Sequence, residues 1–337
     1  MTVTGVGPAA QATAGYDAKD TKDESDGKTE FRLLGPVEIH DGHRGAHIVP
    51  PGSKQRALLS IFVVLADQMI STDRLIEELW GEQTPSNAAN ALQAHVGRLR
   101  KLLPSRGGPG APDHEWITTW PSGYQLSLGP ATTDVQHFHR LSAQGRAAIA
   151  TDPGHATELL RRALSLWRGP ALQDSRYGPL CTAEADRLEE NRLTTLETLY
   201  EASLRSAQHG EITGELEKLT ADHPLHERFY DLLMVALYRC GRQAEALGVY
   251  ERARHRLVRA IGVEPGPALR GRMEAILNHH PGLAALSPPP LELTPPPPPG
   301  LSGEIARLQR RIVELTGEQQ ALARRFDALV AGLPGTR

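Results

Sequence analysis

The stretch NALQAHVGRLRKLLP (Asn90–Pro104) combines a helical pattern with concentrated positive charge. Its aliphatic residues recur at spacings of four, three and four, the period of one helix face: Leu92, Val96, Leu99 and Leu103. The positive charges belong to Arg98, Arg100 and Lys101. No acidic residue occurs between Ser86 and Arg106. The pattern predicts a helix with one buried apolar face and one cationic face.

The face opposite the apolar stripe is unusual for a surface helix. At about 100° per residue it carries Asn87, Asn90, Ala94, Gly97, Arg98 and Lys101. Small residues let a helix backbone enter a groove, Asn bonds adenine edges, and Arg bonds guanine O6 and N7. Arg100, Lys101 and Arg106 suit phosphate contacts, which add affinity without reading sequence. The alternative is a solvated helix whose basic end complements its own dipole.

The flanking segments predict a winged helix-turn-helix domain over residues 30–129. FRLLGPVEIHDG and RGAHIVP predict two extended runs, and SKQRALLSIFVVLADQ and STDRLIEELW predict helices. We expect Ser53 to cap the first helix, Ser71 or Thr72 to cap the second, and Gly81 to end it. The third helix is expected to begin at Pro85, and EWITTWPSGYQLSL to form a hairpin. In this order, the third helix enters the major groove and the hairpin, or wing, contacts the backbone or minor groove.

Charge in this domain is segregated rather than in excess. Residues Glu30–Leu128 contain nine Lys and Arg against ten Asp and Glu. The acidic residues lie on other segments, as Asp73, Glu77 and Glu78 do on the second helix. This segregation, together with the helix-then-hairpin order, favours nucleic-acid binding over a merely solvated helix.

Residues 130–283 form the second predicted domain. From Asp134 to about His280 its pattern is helical throughout and resembles tetratricopeptide pairs, although the period is irregular. The fold class is therefore mainly α: a winged helix-turn-helix domain with three helices and β-hairpins, followed by an all-α, TPR-like domain. The aromatic residues of the second domain have helical spacing, which predicts core positions, with a small-molecule pocket as the alternative: Trp167, Phe229, Tyr230, Tyr238 and Tyr250.

The ends of the chain have different compositions. Residues 1–29 are small, polar and acidic and predict a disordered leader, and residues 284–300 predict an extended proline-rich linker. Residues 301–331 form a heptad pattern that predicts a dimerising coiled coil, with folding back onto the helical domain as the alternative. The proposed dimer seam contains Ile305, Leu308, Ile312, Leu315, Leu322 and Phe326.

Other classes of function have little support in the sequence. Cys181 and Cys240 are far apart and form no CxxC motif, and His137 and His139 cannot share a helix face. No arrangement of catalytic residues stands out, so we expect no enzyme activity, cofactor or metal. The sequence shows no signal peptide and no apolar run long enough for a bilayer, which predicts a cytoplasmic protein without membrane contact.

Two groups of motifs identify a family resemblance. NALQAHVGRLRKLL followed by TTWPSGYQL resembles the OmpR-type winged helix. Four later segments resemble the bacterial transcriptional activator domain: DVQHFHRLSAQGRAAIA, LLRRALSLWRGPAL, ALYRCGRQAEAL and GVEPGPALR. This pairing, over residues 30–280, resembles the Streptomyces antibiotic regulatory protein (SARP) family. It implies an activator of an antibiotic biosynthetic gene cluster that binds direct repeats of promoter DNA near the −35 region and recruits RNA polymerase through its sigma factor.

The resemblance also implies roles for individual residues. Arg98 matches the base-reading arginine, His95, Arg100 and Lys101 match backbone-contacting positions, and Tyr124 follows the glycine of the wing. Trp120 departs from the family, because an arginine often precedes the wing turn. No GxxxxGK[ST] loop occurs, so control by ATP is not implied. The full candidate DNA-contacting set is Asn87, Asn90, Gln93, His95, Arg98, Arg100, Lys101, Thr118, Trp120 and Tyr124.

Two alternative functions remain open at the level of sequence. One is a helical-repeat adaptor that binds protein partners, and the other is a ligand-sensing regulator built on the helical domain.

Overall fold

Seven short strands occur in the computed structural model, which describes residues 28–105 and 115–283. They are Thr29–Arg32 (β1), Glu38–Asp41 (β2), Ala46–Ile48 (β3), Met69–Ser71 (β4), Ile117–Trp120 (β5), Gly123–Leu126 (β6) and Thr132–Thr133 (β7). The first sheet has the order β3-β2-β1-β7, antiparallel except for the parallel pair β1 and β7. The first predicted extended run is two strands, because the chain turns back at Gly35, which has φ +139°.

Three helices follow the first sheet: Ser53–Val64 (α1), Thr72–Trp80 (α2) and Ala88–Leu102 (α3). The predicted cap of α2 is confirmed, since the Ser71 side chain accepts a hydrogen bond from the backbone N–H of Arg74. Two predicted helix starts are wrong. Gly52, not Ser53, precedes α1, and α3 begins after Asn87, because the chain turns between Pro85 and Asn87 before becoming helical.

The predicted hairpin of β5 and β6 is confirmed, and β4 joins it to give a three-stranded sheet of order β4-β6-β5. The register pairs Ile70 with Tyr124 and Ser71 with Gly123. A Cβ at Gly123 would overlap the carbonyl oxygen of Ile70, so glycine is required for β4 to approach this closely. The sheet thereby fixes the wing to the segment that precedes α2.

Residues 134–277 form consecutive helices. They are Asp134–Ala148 (α4), Pro153–Ser165 (α5), Gly178–Arg205 (α6), His209–Asp222 (α7), Glu227–Arg239 (α8), Gln243–Ile261 (α9) and Pro267–Leu277 (α10). Most neighbours in sequence pack on one another, as in a TPR-like array. Trp167, Phe229, Tyr230 and Tyr250 are buried as predicted, whereas Tyr238 is half-buried and its hydroxyl lies 3.3 Å from His279 Nδ1.

Two apolar cores stabilise the described residues. The first core contains residues of the winged region and of α4, α5 and α6, among them Phe31, Phe62, Leu99, Phe138 and Leu188. The second lies mainly within α6 to α10. The winged region therefore shares apolar burial, the dominant favourable term in folding, with the first helices of the helical region.

Polar contacts also join the two regions. The buried Asp134 carboxylate, at the start of α4, accepts hydrogen bonds from the backbone N–H groups of Leu33 and Leu34. Burial raises the pKa of Asp134 to about 6, against the opposing effect of these hydrogen bonds. On the opposite side, the Glu78 carboxylate of α2 accepts the N–H of Leu180 in the first turn of α6, 3.0 Å away.

Glu30 gives the first sheet a pH-dependent contribution to stability. Burial alone would raise the pKa of Glu30, but hydrogen bonds from His137 and Arg32 outweigh burial and lower it to about 2. The contacts are 3.2 Å to His137 Nδ1 and 2.6 Å to Arg32 Nε. A lowered carboxyl pKa stabilises the fold above the unfolded value of 4.5, and the contribution is lost as the pH falls towards 2.

We therefore expect Glu30→Gln to lower the free energy of unfolding by about 3 kcal/mol at pH 7, at 1.36 kcal/mol per pKa unit. The difference from the wild type should shrink as the pH falls from 4.5 to 2. Urea titrations of both proteins across that range measure it. A difference that stays constant with pH would contradict the lowered pKa of Glu30.

Several sequence predictions lie outside the described residues. They are the leader up to residue 27, the linker 284–300 and the heptad segment 301–331 with its seam; Thr29, the last residue of the predicted leader, already lies in β1. Within residues 28–105 and 115–283, no helix has the length and apolar character needed to cross a bilayer.

Candidate nucleic-acid interface

Helix α3 has one buried and one exposed face, as its sequence predicts. Leu92, Val96 and Leu99 are at most 1% exposed and pack in the first core, whereas Leu103 follows the helix end and is half-buried. The helix rests on α1 and α2. The exposed positions are Asn87, just before the helix, and Ala89, Asn90, Gln93, Ala94, Arg98 and Lys101 within it. The buried stripe therefore fixes which side chains of α3 face solvent.

The exposed face of α3 is cationic at one end and narrow at its centre. Arg98 and Lys101 form no ion pair with the residues that the structure describes. A Cβ placed at Gly97 would meet no atom within 4 Å, so packing within the protein does not require a glycine there. Asn90 and Gln93 lie one to two turns earlier and offer amide groups. This surface has the chemistry that major-groove reading needs: amides, a free arginine and a backbone that another molecule can approach.

The structure places Arg100 differently from its predicted role. Its Nη2 donates to the carbonyl oxygen of Ile117 at 2.7 Å and to Thr119 Oγ1 at 2.7 Å, and its Nε donates to the same carbonyl at 3.2 Å. The side chain is 32% exposed and lies 3.8 Å from Glu115 Oε2. The guanidinium is therefore engaged with β5 rather than extended towards solvent.

His95 also departs from its predicted role as a backbone contact. Its ring packs against Trp80 of α2, with the ring centres 6.1 Å apart, and its Nδ1 is buried. Burial, with Arg98 and Lys54 nearby, lowers the pKa of His95. These surroundings disfavour the charged form of the His95 ring.

The wing presents two of its three predicted residues to solvent. Thr118 is exposed, and Trp120 is 48% exposed. The Trp120 Nε1 donates to Gln125 Oε1 at 3.0 Å, so the indole is held on the surface and not packed under the wing. Tyr124 is 8% exposed because it lies on the inner face of the sheet and packs in the first core, so little of its side chain faces solvent.

Sequence reasoning missed the supports of the wing. Gln125, which holds Trp120, also donates through Nε2 to the carbonyl of Asp67, and Met69 on the neighbouring strand is 50% exposed. Strand β4 has only three residues, so alternation of apolar and polar residues gives too short a signal to find it. Thr119 was missed because its partner, Arg100, lies 19 residues away in sequence.

The thiols and the metal-binding residue types offer no competing site. Burial raises the pKa of Cys181 to about 12, so its thiol is inert at neutral pH. Cys240 is exposed. Among the residues that the structure describes, no three His, Cys, Asp or Glu side chains are grouped as metal ligands.

Comparison with known proteins matches both regions to families. Residues 133–277 match the bacterial transcriptional activator domain, and residues 47–126 match the family described as transcriptional regulatory protein, C terminal. The chain is 42% identical over 257 residues to the transcriptional regulator RedD of Streptomyces coelicolor. The aligned region covers 76% of this chain and 73% of RedD. It is 36% identical over 260 residues to the regulatory protein DnrI of Streptomyces peucetius, covering 75% of this chain and 94% of DnrI.

A solved structure shares the fold. Mycobacterium tuberculosis EmbR, in complex with a low affinity phosphopeptide, superposes with a TM-score of 0.68 at 33% identity. The match covers 75% of this chain and 66% of that chain.

Fold and surface together define a winged helix-turn-helix transcriptional regulator with a TPR-like helical domain. The chain belongs to the Streptomyces antibiotic regulatory protein (SARP) family of transcriptional activators.

Proposed function

We propose that this protein activates transcription of a secondary-metabolite biosynthetic gene cluster by reading promoter DNA with α3. The observation that carries the proposal is the exposed face of α3, which joins amides, small residues and unpaired cations without an acidic residue. In this arrangement α3 lies in the major groove and the hairpin of β5 and β6 follows the adjacent backbone or minor groove.

The exposed residues have separate roles in the proposal. Arg98 contacts a guanine edge, and Asn90 and Gln93 bond adenine edges or nearby groups. Lys101 contacts phosphate and adds salt-dependent affinity. Trp120, held by Gln125, lies against deoxyribose, because a neutral indole cannot neutralise a phosphate. Asn87 and Thr118 contribute hydrogen bonds to the backbone, while Tyr124 and His95 support the surface from within.

Further elements of the proposal come from family membership. Family members bind direct repeats near the −35 region and recruit RNA polymerase through its sigma factor, and we propose the same partners here. Two copies side by side on direct repeats would be tied together by the heptad segment 301–331. The sedimentation mass of the full chain at micromolar concentration tests that tie.

We expect Arg98→Ala to weaken binding to a promoter duplex with its direct repeats by about 10- to 100-fold, because one base contact is worth about 1–3 kcal/mol. Binding to a random duplex should change much less, since phosphate contacts dominate there. Fluorescence anisotropy with both duplexes measures the two affinities. Arg259→Ala is the matched control, since Arg259 is an exposed arginine in the last turn of α9.

The outcome separates the proposal from the two alternatives. An adaptor or a ligand sensor acting only through protein partners would bind promoter and random duplexes equally, and Arg98→Ala would behave as Arg259→Ala does. Either result would contradict the proposed reading of DNA by α3.

A further inference from the structure

Arg100 connects the two elements that the proposed function assigns to DNA. It lies near the end of α3, and its guanidinium reaches the carbonyl oxygen of Ile117 and the hydroxyl of Thr119 on β5. Within the described residues, strand β5 lies at the edge of the three-stranded sheet and pairs with β6. An edge strand has backbone groups without a sheet partner, and Arg100 supplies donors to one of them. The hydrogen bonds therefore fix β5 to α3 directly.

A second hydrogen bond also joins the end of α3 to the start of β5. The Trp116 Nε1, immediately before β5, donates to the carbonyl oxygen of Pro104 at 2.6 Å, just beyond the end of α3. Trp116 lies in the first core, so this contact anchors the base of the connection. Arg100 acts further along the strand, at Ile117 and Thr119. The two contacts set the distance and the angle between α3 and the hairpin.

Lys101, the neighbouring cation, lies in a different environment from Arg100. Lys101 is exposed and makes no ion pair or side-chain hydrogen bond with the described residues, so its charge is available to a phosphate. Arg100 has its Nε and Nη2 donors occupied by the protein and less than a third of its side chain exposed. Two adjacent basic residues thus occupy different environments, which charge patterning alone does not distinguish.

We propose that Arg100 is a positioning residue: it holds the wing at the spacing from α3 that lets both elements engage one duplex, and it does not neutralise a phosphate. The inference rests on the proposed function, because it assumes that α3 and the wing bind the same DNA. A helix in the major groove and a wing beside it must match the fixed groove geometry of B-DNA. Loss of the hydrogen bonds between Arg100 and β5 should therefore lower the affinity for the promoter duplex, where α3 and the wing bind together, more than the affinity for a random duplex.

The test compares three variants on the full-length chain: Arg100→Ala, Lys101→Ala and Thr119→Val. Anisotropy titrations with the promoter duplex and with a random duplex, over a range of salt concentrations, give the affinities and the salt dependence. For Arg100→Ala we expect a loss of about tenfold or more on the promoter duplex, less than about twofold on the random duplex, and an unchanged salt slope on the random duplex. Lys101→Ala should weaken both and make that slope shallower by about 0.9.

Thr119→Val tests the contact between Arg100 and β5 by changing the partner of Arg100, and it removes no charge. It deletes one of the two acceptors of Arg100, leaving the carbonyl of Ile117, and keeps the shape of the side chain. It should weaken promoter binding in the same direction as Arg100→Ala. The double variant should bind promoter DNA no more weakly than Arg100→Ala alone, since Arg100→Ala already removes the contact with Thr119. If Arg100→Ala fails to fold by circular dichroism, Thr119→Val carries the test.

Three results would overturn the inference. Equal losses on both duplexes with a shallower salt slope would show that Arg100 contacts phosphate. Unchanged or tighter promoter binding by Thr119→Val would show that its contact with Arg100 does not position the wing. A lower melting temperature with unchanged affinities would show a purely structural role. Failure of the proposed function is distinguishable from all three, because the wild type would then show no preference for the promoter duplex.

Discussion

Gly178→Ala is expected to lower the free energy of unfolding by about 3 kcal/mol. The residue has φ +67°, where an alanine is strained by about 1–2 kcal/mol. A Cβ there would also lie 2.6 Å from the carbonyl oxygen of Glu78 and 2.8 Å from its Cα. Both are backbone atoms, so relief requires α2 and α6 to move apart, and overpacking of this kind costs about 1–3 kcal/mol.

Gly241 provides the matched control for this variant. It has φ +76°, but a Cβ there would meet no atom within 4 Å. Gly241→Ala should therefore show the backbone strain alone, about 1–2 kcal/mol. Urea unfolding followed by circular dichroism gives both values. If Gly178→Ala costs no more than Gly241→Ala, the close approach of α2 to α6 does not exist in solution.

The contact around Gly178 matters because it joins α6 to α2, one of the two helices on which α3 rests. Lys54 of α1 donates to the carbonyl of Leu79, and its Nζ lies 4.6 Å from the ring centre of Tyr177, just before α6. Glu78 of α2 accepts the N–H of Leu180. Helices α1 and α2, which carry α3, are thus fixed to the first turn of α6. The orientation of α3 relative to the helical domain depends on this packing.

Local sequence patterns predict the elements in which one signal dominates. The preference of hydroxyl side chains for the position before a helix predicts the cap of α2 at Ser71 correctly, but the same preference predicts the wrong cap for α1, where Gly52 and not Ser53 precedes the helix. The predicted start of α3 is too early because Pro85 favours the first turn of a helix, whereas here it initiates a turn that leads to Asn87. Local residue propensities therefore predict that a segment is helical, whereas tertiary contacts determine the residue at which the helix begins.

The candidate interface is predictable on its helix and less so on its wing. The stripe of Leu92, Val96 and Leu99 determines by geometry that Arg98 and Lys101 are exposed, so the period alone suffices there. The helical period gives no information on whether a partly exposed cation such as Arg100 forms a hydrogen bond with another helix or strand. The role of Arg100 needs the structure, because its partners belong to a strand beyond the next loop.

Gly97→Leu is expected to separate folding from DNA binding. Glycine within a helix is less favourable than leucine by about 0.5–1 kcal/mol, and the position has open space around it, so the free energy of unfolding should rise by that amount. The new side chain would project from the centre of the exposed face, between Ala94 and Arg98. If that face lies in the major groove, the backbone can no longer approach the bases, and promoter affinity should fall by about 100-fold towards the value for random DNA.

Gly248→Leu is the matched control, because Gly248 lies inside α9 and a Cβ added there would meet no atom within 4 Å. Both variants should gain similar stability in urea titrations, and only Gly97→Leu should lose promoter binding in anisotropy titrations. Unchanged promoter affinity for Gly97→Leu would mean that the centre of α3 does not enter the groove. The exposed cations of α3 would then contribute charge to DNA binding without reading its sequence.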